Sequence, residues 1–116
     1  MGATLTNALG KIELADGVIA SIAGSTATEC YGVVGMASLS AADGIADLLK
    51  RESMGKGVRV LVQNSILTID MGVIIEYGVS IATVASNVID NVKFNVELLT
   101  GMQVDKVNVT VKGIRV

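Results

Sequence analysis

Between residues 66 and 77 the chain alternates. Leu67, Ile69, Met71, Val73, Ile75 and Tyr77 fall on one side, while Ile66, Thr68, Asp70, Gly72, Ile74 and Glu76 fall on the other. A period of two is that of a β-strand with one face toward a core. Val58, Val60 and Val62 alternate with Arg59, Leu61 and Gln63 just before it, and Asn64-Ser65 between the two runs reads as a hairpin turn. Past Gly78 the period changes. Ile81, Val84, Ala85, Val88, Val92, Val96 and Leu99 form one helical stripe, with Ser80 placed to cap its start and Gly101 its end. Val107, Val109 and Val111 then alternate with Lys106, Asn108, Thr110 and Lys112 in a closing strand.

The first half is less regular. Lys11–Leu14 alternates as a short strand, and Asp16 offers a cap for a helix bearing Val18, Ile19, Ile22, Ala23, Ala27 and Cys30. Gly32–Ser38 reads as a strand, and Ser40 as the cap of a short helix through Leu49. Glu52–Gly57 reads as a loop. Residues 1–9 are expected as a flexible lead-in, and 10–116 as a single domain. The element order is β-α-β-(short α)-β-β-α-β. It implies an α+β fold: a two-layer, mixed β-sheet with two long helices packed on one face. The opposite face stays open, and among its mostly polar residues it carries Leu61, Ile66 and Ile74. An apolar group on an uncovered sheet often marks a contact surface, so these three are the candidate protein-contact residues; the other readings are that the short helix through Leu49 covers them or that they lie on the opposite face.

Composition removes most other chemistry. The 116 residues are 51% hydrophobic and 17% charged, with no His, no Pro and one Cys. Without His the commonest general base and metal ligand are missing. A single thiol permits no intrachain disulfide and no cysteine zinc site. The net charge of −2 gives no electrostatic grip on nucleic acid or an anionic membrane. The longest uncharged stretches, Cys30–Ala42 and Tyr77–Ile89, fall short of the roughly 20 residues a spanning helix needs. No catalytic residue, cofactor site or metal site is expected.

The remaining candidates each have a plainer reading. Asp70 and Glu76 share a strand face but lie about 20 Å apart, too far to act on one bond. Asp43 and Asp47 sit one helical turn apart without further oxygen ligands. Cys30 has no basic neighbour in sequence to activate it, and reads as a buried structural thiol. Gly32-Val-Val-Gly35 matches the GxxG string of KH domains, but its middle pair is apolar and its context is a strand.

Taken in order, Gly10–Leu14, Val18–Gly24, Tyr31–Gly35, Gly57–Val60, Ile69-Asp70, Val73–Gly78, Val96–Gly101 and Val107–Gly113 resemble the blocks of the alkaline shock protein family, also called the Gls general stress family. The resemblance spans roughly residues 10–114 and points to its short, single-domain subgroup. It implies a small cytoplasmic protein of Gram-positive-type bacteria, linked to envelope and alkaline stress. It further implies self-association, and as partners a membrane-anchored protein or a kinase of the dihydroxyacetone- or fatty-acid-kinase type encoded nearby. The family offers no catalytic residues to carry over. The expected function is thus a non-enzymatic accessory or scaffold protein of the envelope stress response. It would act by self-association and protein contacts through the open face, without inserting into the membrane. The alternatives are a nucleic-acid-binding module with KH-like element order, or a small apolar-ligand carrier linked to a fatty-acid-type kinase.

Overall fold

The computed structural model describes residues 3–39 and 57–116. The element order is β1 (Ala3–Asn7), β2 (Gly10–Leu14), α1 (Asp16–Thr28), β3 (Val33–Met36), β4 (Val58–Gln63), β5 (Ile66–Glu76), α2 (Ile81–Thr100) and β6 (Gln103–Arg115). The expected short helix at Ser40–Leu49, its Asp43–Asp47 pair and the loop from Glu52 to Lys56 lie outside the described residues.

β5 organises the sheet. Its alternation is realised in full: Leu67, Ile69, Met71, Val73 and Ile75 are all completely buried. β6 runs parallel along one edge, pairing Ile66 with Gln103 through Glu76 with Arg115. The other edge is shared, since β4 pairs antiparallel with residues 66–71 and β3 with residues 73–75. The sheet is therefore mixed, as expected, and α2 supplies the crossover that a parallel β5–β6 pair requires. Both helices pack on the face carrying the buried β5 side chains, α2 against β6 and α1 against β3 and β4.

The β4–β5 hairpin closes through Asn64 (φ 54°) and Ser65 (φ 64°). Two central residues with positive φ define the turn whose twist suits a two-residue hairpin, and Gly is favoured at its second position. Ser65→Gly should therefore raise stability by about 0.5–1 kcal/mol, read as an increase in thermal midpoint. An unchanged or lower midpoint would contradict this turn geometry.

α1 carries small residues on its buried side: Ala20, Ala23 and Ala27 are at most 2% exposed. This allows close approach to β4, where a side chain at Gly24 would just touch Val58. Its cap differs from expectation. Ala15 occupies the N-cap with no side-chain bond, and its carbonyl accepts from Val18 N–H at 3.1 Å, which puts Asp16 inside the first turn. In α2 the Ser80 hydroxyl does accept from Thr83 N–H (3.4 Å), and Gly101 takes φ 75° with its N–H donating to the Glu97 carbonyl.

The buried stripe of α2 runs Val84, Val88, Val92, Val96 and Thr100. Leu99, expected in it, is 66% exposed. A strict four-residue spacing carries the stripe on to Thr100. That hydroxyl is satisfied internally, donating to the Val96 carbonyl (2.6 Å) and accepting from Met102 N–H (3.1 Å). Tyr77 likewise falls beyond the end of β5 and is exposed.

Residues 1–9, where no element was expected, contain β1. Asn7 makes the turn, its Oδ1 accepting from the N–H of Leu9 (2.8 Å) and Gly10 (3.0 Å). Ala3 and Leu5 face the core, and Ala3 is 1% exposed. Small and hydroxyl side chains made that alternation faint in the sequence. β6 also extends past its expected limits at both ends, because register shifts at Leu67/Thr68 and Val73/Ile74 interrupt the alternation without ending the pairing.

Candidate protein-contact face

The face of β4, β5 and β6 turned away from the helices is built in rows fixed by register. Gln63, Ile66 and Gln103 form one row, and Leu61, Thr68 and Lys106 the next. Arg59, Asp70 and Asn108 follow, then Gly57, Gly72 and Thr110.

The centre of this face is polar and tied together. The Arg59 guanidinium meets Asp70 Oδ2 through Nη2 at 3.0 Å and Nε at 3.3 Å. Asn108 Nδ2 donates to Asp70 Oδ1 at 2.8 Å, so one carboxylate links three strands. Asp70 is thus a cross-strand tie, and Glu76 lies six strand residues away beside Arg115. In the next row Gly57 and Gly72 leave room for the Ala37 carbonyl on this side of the sheet. A Cβ at Gly72 would come within 2.5 Å of that oxygen.

Of the three candidate residues, the fold brings two together. Leu61 is 49% exposed, and half-buried Ile66 lies diagonally across from it, within side-chain reach. Ile74 is half-buried and eight residues further along β5, about 26 Å from Ile66. The ion pair and the Ala37 crossing lie between them. The exposed apolar part of the face is therefore its Leu61–Ile66 end.

Sequence reasoning missed a second exposed apolar surface. Phe94, Leu98 and Leu99 on α2 are 64–66% exposed. Phe94 and Leu98 stand four residues apart and off the valine stripe, which was the available signal.

Cys30 is buried; its thiol donates to the Thr26 carbonyl and accepts from Asn91 Nδ2, each at 3.4 Å. Asn95 Nδ2 donates to Thr26 Oγ1 at 3.1 Å, completing a polar seam between α1 and α2. Gly32 (φ 89°) leads directly into β3, and Gly35 lies within that strand, so this GxxG string forms no clamp between two helices. A groove of about 480 Å³ beside α1 is lined by Ala20, Ser21, Gly24, Ser25, Thr28 and others, a small and hydroxyl-rich surface. Among the described residues no group of His, Cys, Asp and Glu gathers to hold a metal ion. Among them, too, no helix is long and apolar enough to cross a membrane.

The profile of the alkaline shock protein 23 family, described as having a cell envelope-related function, matches residues 4–116. The chain belongs to the alkaline shock protein 23 family. This is the family that the sequence blocks resemble. Among curated relatives, the uncharacterised protein YloU of Bacillus subtilis strain 168 is 41% identical over 117 residues, covering 100% of this chain and 98% of its own. The uncharacterised protein Spy1614 of Streptococcus pyogenes is 45% identical over 108 residues, covering 92% and 89%. The uncharacterised protein YqhY of Bacillus subtilis strain 168 is 35% identical over 107 residues, covering 92% and 78%. No solved structure matches the chain. The family match begins at residue 4, so it takes in β1 as well as the blocks legible from residue 10 onward.

Proposed function

We propose that this protein is a non-enzymatic accessory or scaffold protein of the bacterial cell envelope, working through self-association and contacts with other proteins. The observation that carries the reading is the Leu61–Ile66 apolar pair at one end of a sheet face that, among the described residues, no helix covers. The pair leaves apolar surface in water that a docking partner would bury. The envelope link comes from the family description. A membrane-anchored protein or a neighbouring kinase is the partner class the family resemblance suggests, and it would hold the chain near the membrane from the cytoplasmic side.

The polar centre argues for a specific contact rather than a greasy one. Asp70 is already bonded on both oxygens, so a partner meets a fixed pattern of charge and amide beside the apolar end. The same arrangement weakens the nucleic-acid reading, because Arg59 is engaged by Asp70 and no aromatic stands in the rows of the face.

The test is the particle mass of purified protein by light scattering over a concentration series, with Leu61→Asp and Ile66→Asp beside the wild type. Wild type should exceed 11.9 kDa and grow with concentration. Leu61→Asp should lose the largest species while changing stability by no more than about 0.5–1 kcal/mol, since the position is half-exposed. Variants that assemble like wild type would remove this end of the face from the account. Ile74→Asp, at the remote end, should have little effect on assembly.

A further inference from the structure

We infer that two copies of this chain join through the outer edge of β2, their N-terminal hairpins pairing antiparallel into one four-stranded sheet. The inference rests on the self-association reading and names the surface that makes the first contact.

β1 and β2 form a two-stranded sheet of their own, apart from the main sheet. A lone hairpin is marginal in water, and three or more strands hold together far better. β1 is its inner strand: Ala3 is buried and Leu5 half-buried, with Leu5 Cδ1 3.7 Å from where a Cβ at Gly101 would stand. β2 is its outer strand, exposed from Gly10 to Glu13. Among the described residues its far edge pairs with nothing. Ile12 lies directly opposite Leu5, yet it is 50% exposed. The apolar side of the hairpin thus continues from β1 onto β2 and ends in water at an open edge.

Charge selects a second copy and its register. An edge strand that is short and carries a Lys turns away most other strands. In β2, however, Lys11 and Glu13 flank Ile12, and the order Lys-Ile-Glu is complementary to itself when reversed. Directly opposed side chains share a face, so a two-fold axis through one residue keeps the two apolar sides together. Centred on Ile12, the pairing sets Ile12 against Ile12 and each Lys11 against the other copy's Glu13, two opposite-charge pairs. Centred on Lys11 or on Glu13, it would set like charges against each other. Among the described residues neither side chain makes another ion pair or hydrogen bond, so both charges are available. The same register brings Leu14 against Gly10, which has no side chain to obstruct it. It also carries Leu9, 98% exposed at the hairpin tip, to Ala15 at the start of the other copy's α1. Such an isologous contact closes at two copies, so growth beyond a dimer needs a different surface. The Leu61–Ile66 end of the main sheet supplies it.

The test reverses these charges in the full-length protein and follows its mass by light scattering. Lys11→Glu or Glu13→Lys turns both opposite-charge pairs into like-charge pairs, and each should weaken the dimer about tenfold. The double variant Lys11→Glu with Glu13→Lys remakes both pairs and should restore the dimer, as should an equimolar mixture of the two single variants. Both positions are exposed, so circular dichroism should be unchanged throughout. Disulfide trapping on a Cys30→Ala background checks the register. Ile12→Cys places two thiols on the axis, with Cα atoms about 4.5–5.5 Å apart and within disulfide reach. Gly10→Cys places them about 13 Å apart along the strands. Under mild oxidation Ile12→Cys should give covalent dimer about tenfold faster than Gly10→Cys. A wild-type mass above 11.9 kDa that neither reversal lowers, with equal trapping at the two positions, would overturn the β2 contact and leave self-association standing. A wild-type monomer at every concentration would overturn both.

Discussion

Gly72→Ala is expected to cost about 2–4 kcal/mol, a large share of a small domain's stability. Gly72 sits where the shared edge of β5 passes from one partner strand to the other. Its N–H donates to the Gly57 carbonyl and its carbonyl accepts from Ala37 N–H, both at 2.9 Å. A methyl group at this position would lie 2.5 Å from the Ala37 carbonyl oxygen and 3.4 Å from Lys112 Cγ. The lysine stem can swing aside, but the backbone oxygen cannot move without stretching one of those hydrogen bonds. Overpacking of this kind costs roughly 1–3 kcal/mol, and a weakened buried hydrogen bond adds about 1. Gly35→Ala in β3 is the control, since its added Cβ would meet nothing within 4 Å. Urea unfolding should separate the two variants clearly. Equal midpoints would mean that the β3–β4 junction is not packed as described.

Val96→Asp is expected to abolish folding, while Leu99→Asp should change stability by no more than about 0.5 kcal/mol. Val96 is fully buried on the α2 stripe, and Leu99 is 66% exposed on the same helix three residues away. A carboxylate at residue 96 would be desolvated among the apolar side chains of the core, Val88 and Val92 among them. The penalty for such an uncompensated charge is about 3–5 kcal/mol on top of the lost packing, comparable to the whole stability of a domain this size. Circular dichroism with thermal melting reads both outcomes. A folded Val96→Asp, or an unfolded Leu99→Asp, would reverse the face assignment of the helix.

That second pair marks where the sequence was a good guide and where it was not. Strand β5 was legible because a period of two admits only two faces, and five large apolar residues occupied one of them. The helix was legible as an element, with its Ser80 and Gly101 caps, but not at its last turn. Thr100 looks polar in sequence and became buried only because its hydroxyl found the Val96 carbonyl. At the start of α1, Asp16 looked like a cap, yet the chain entered the helix one residue earlier at Ala15. β1 was missed because Ala and Thr give weak alternation, and what fixes that hairpin is one Asn side chain closing a turn.

The candidate face divides in the same way. Which residues lie on it followed from alternation alone. Their grouping needed the register, which put Leu61 beside Ile66 and set Ile74 about 26 Å off. The Arg59–Asp70–Asn108 tie joins residues 11 and 38 positions apart, a separation at which no local pattern carries a signal. The exposure of Phe94 and Leu98 was partly legible, through their offset from the valine stripe, whereas Leu99 was expected on that stripe and is exposed.

The central claim is that this chain works by assembling with itself and with other proteins. Light scattering of the purified wild type over a concentration series tests it most directly. The account predicts a mass per particle above 11.9 kDa that rises in steps with concentration and falls when Leu61 or Ile66 becomes Asp. A particle of 11.9 kDa at every concentration would contradict it.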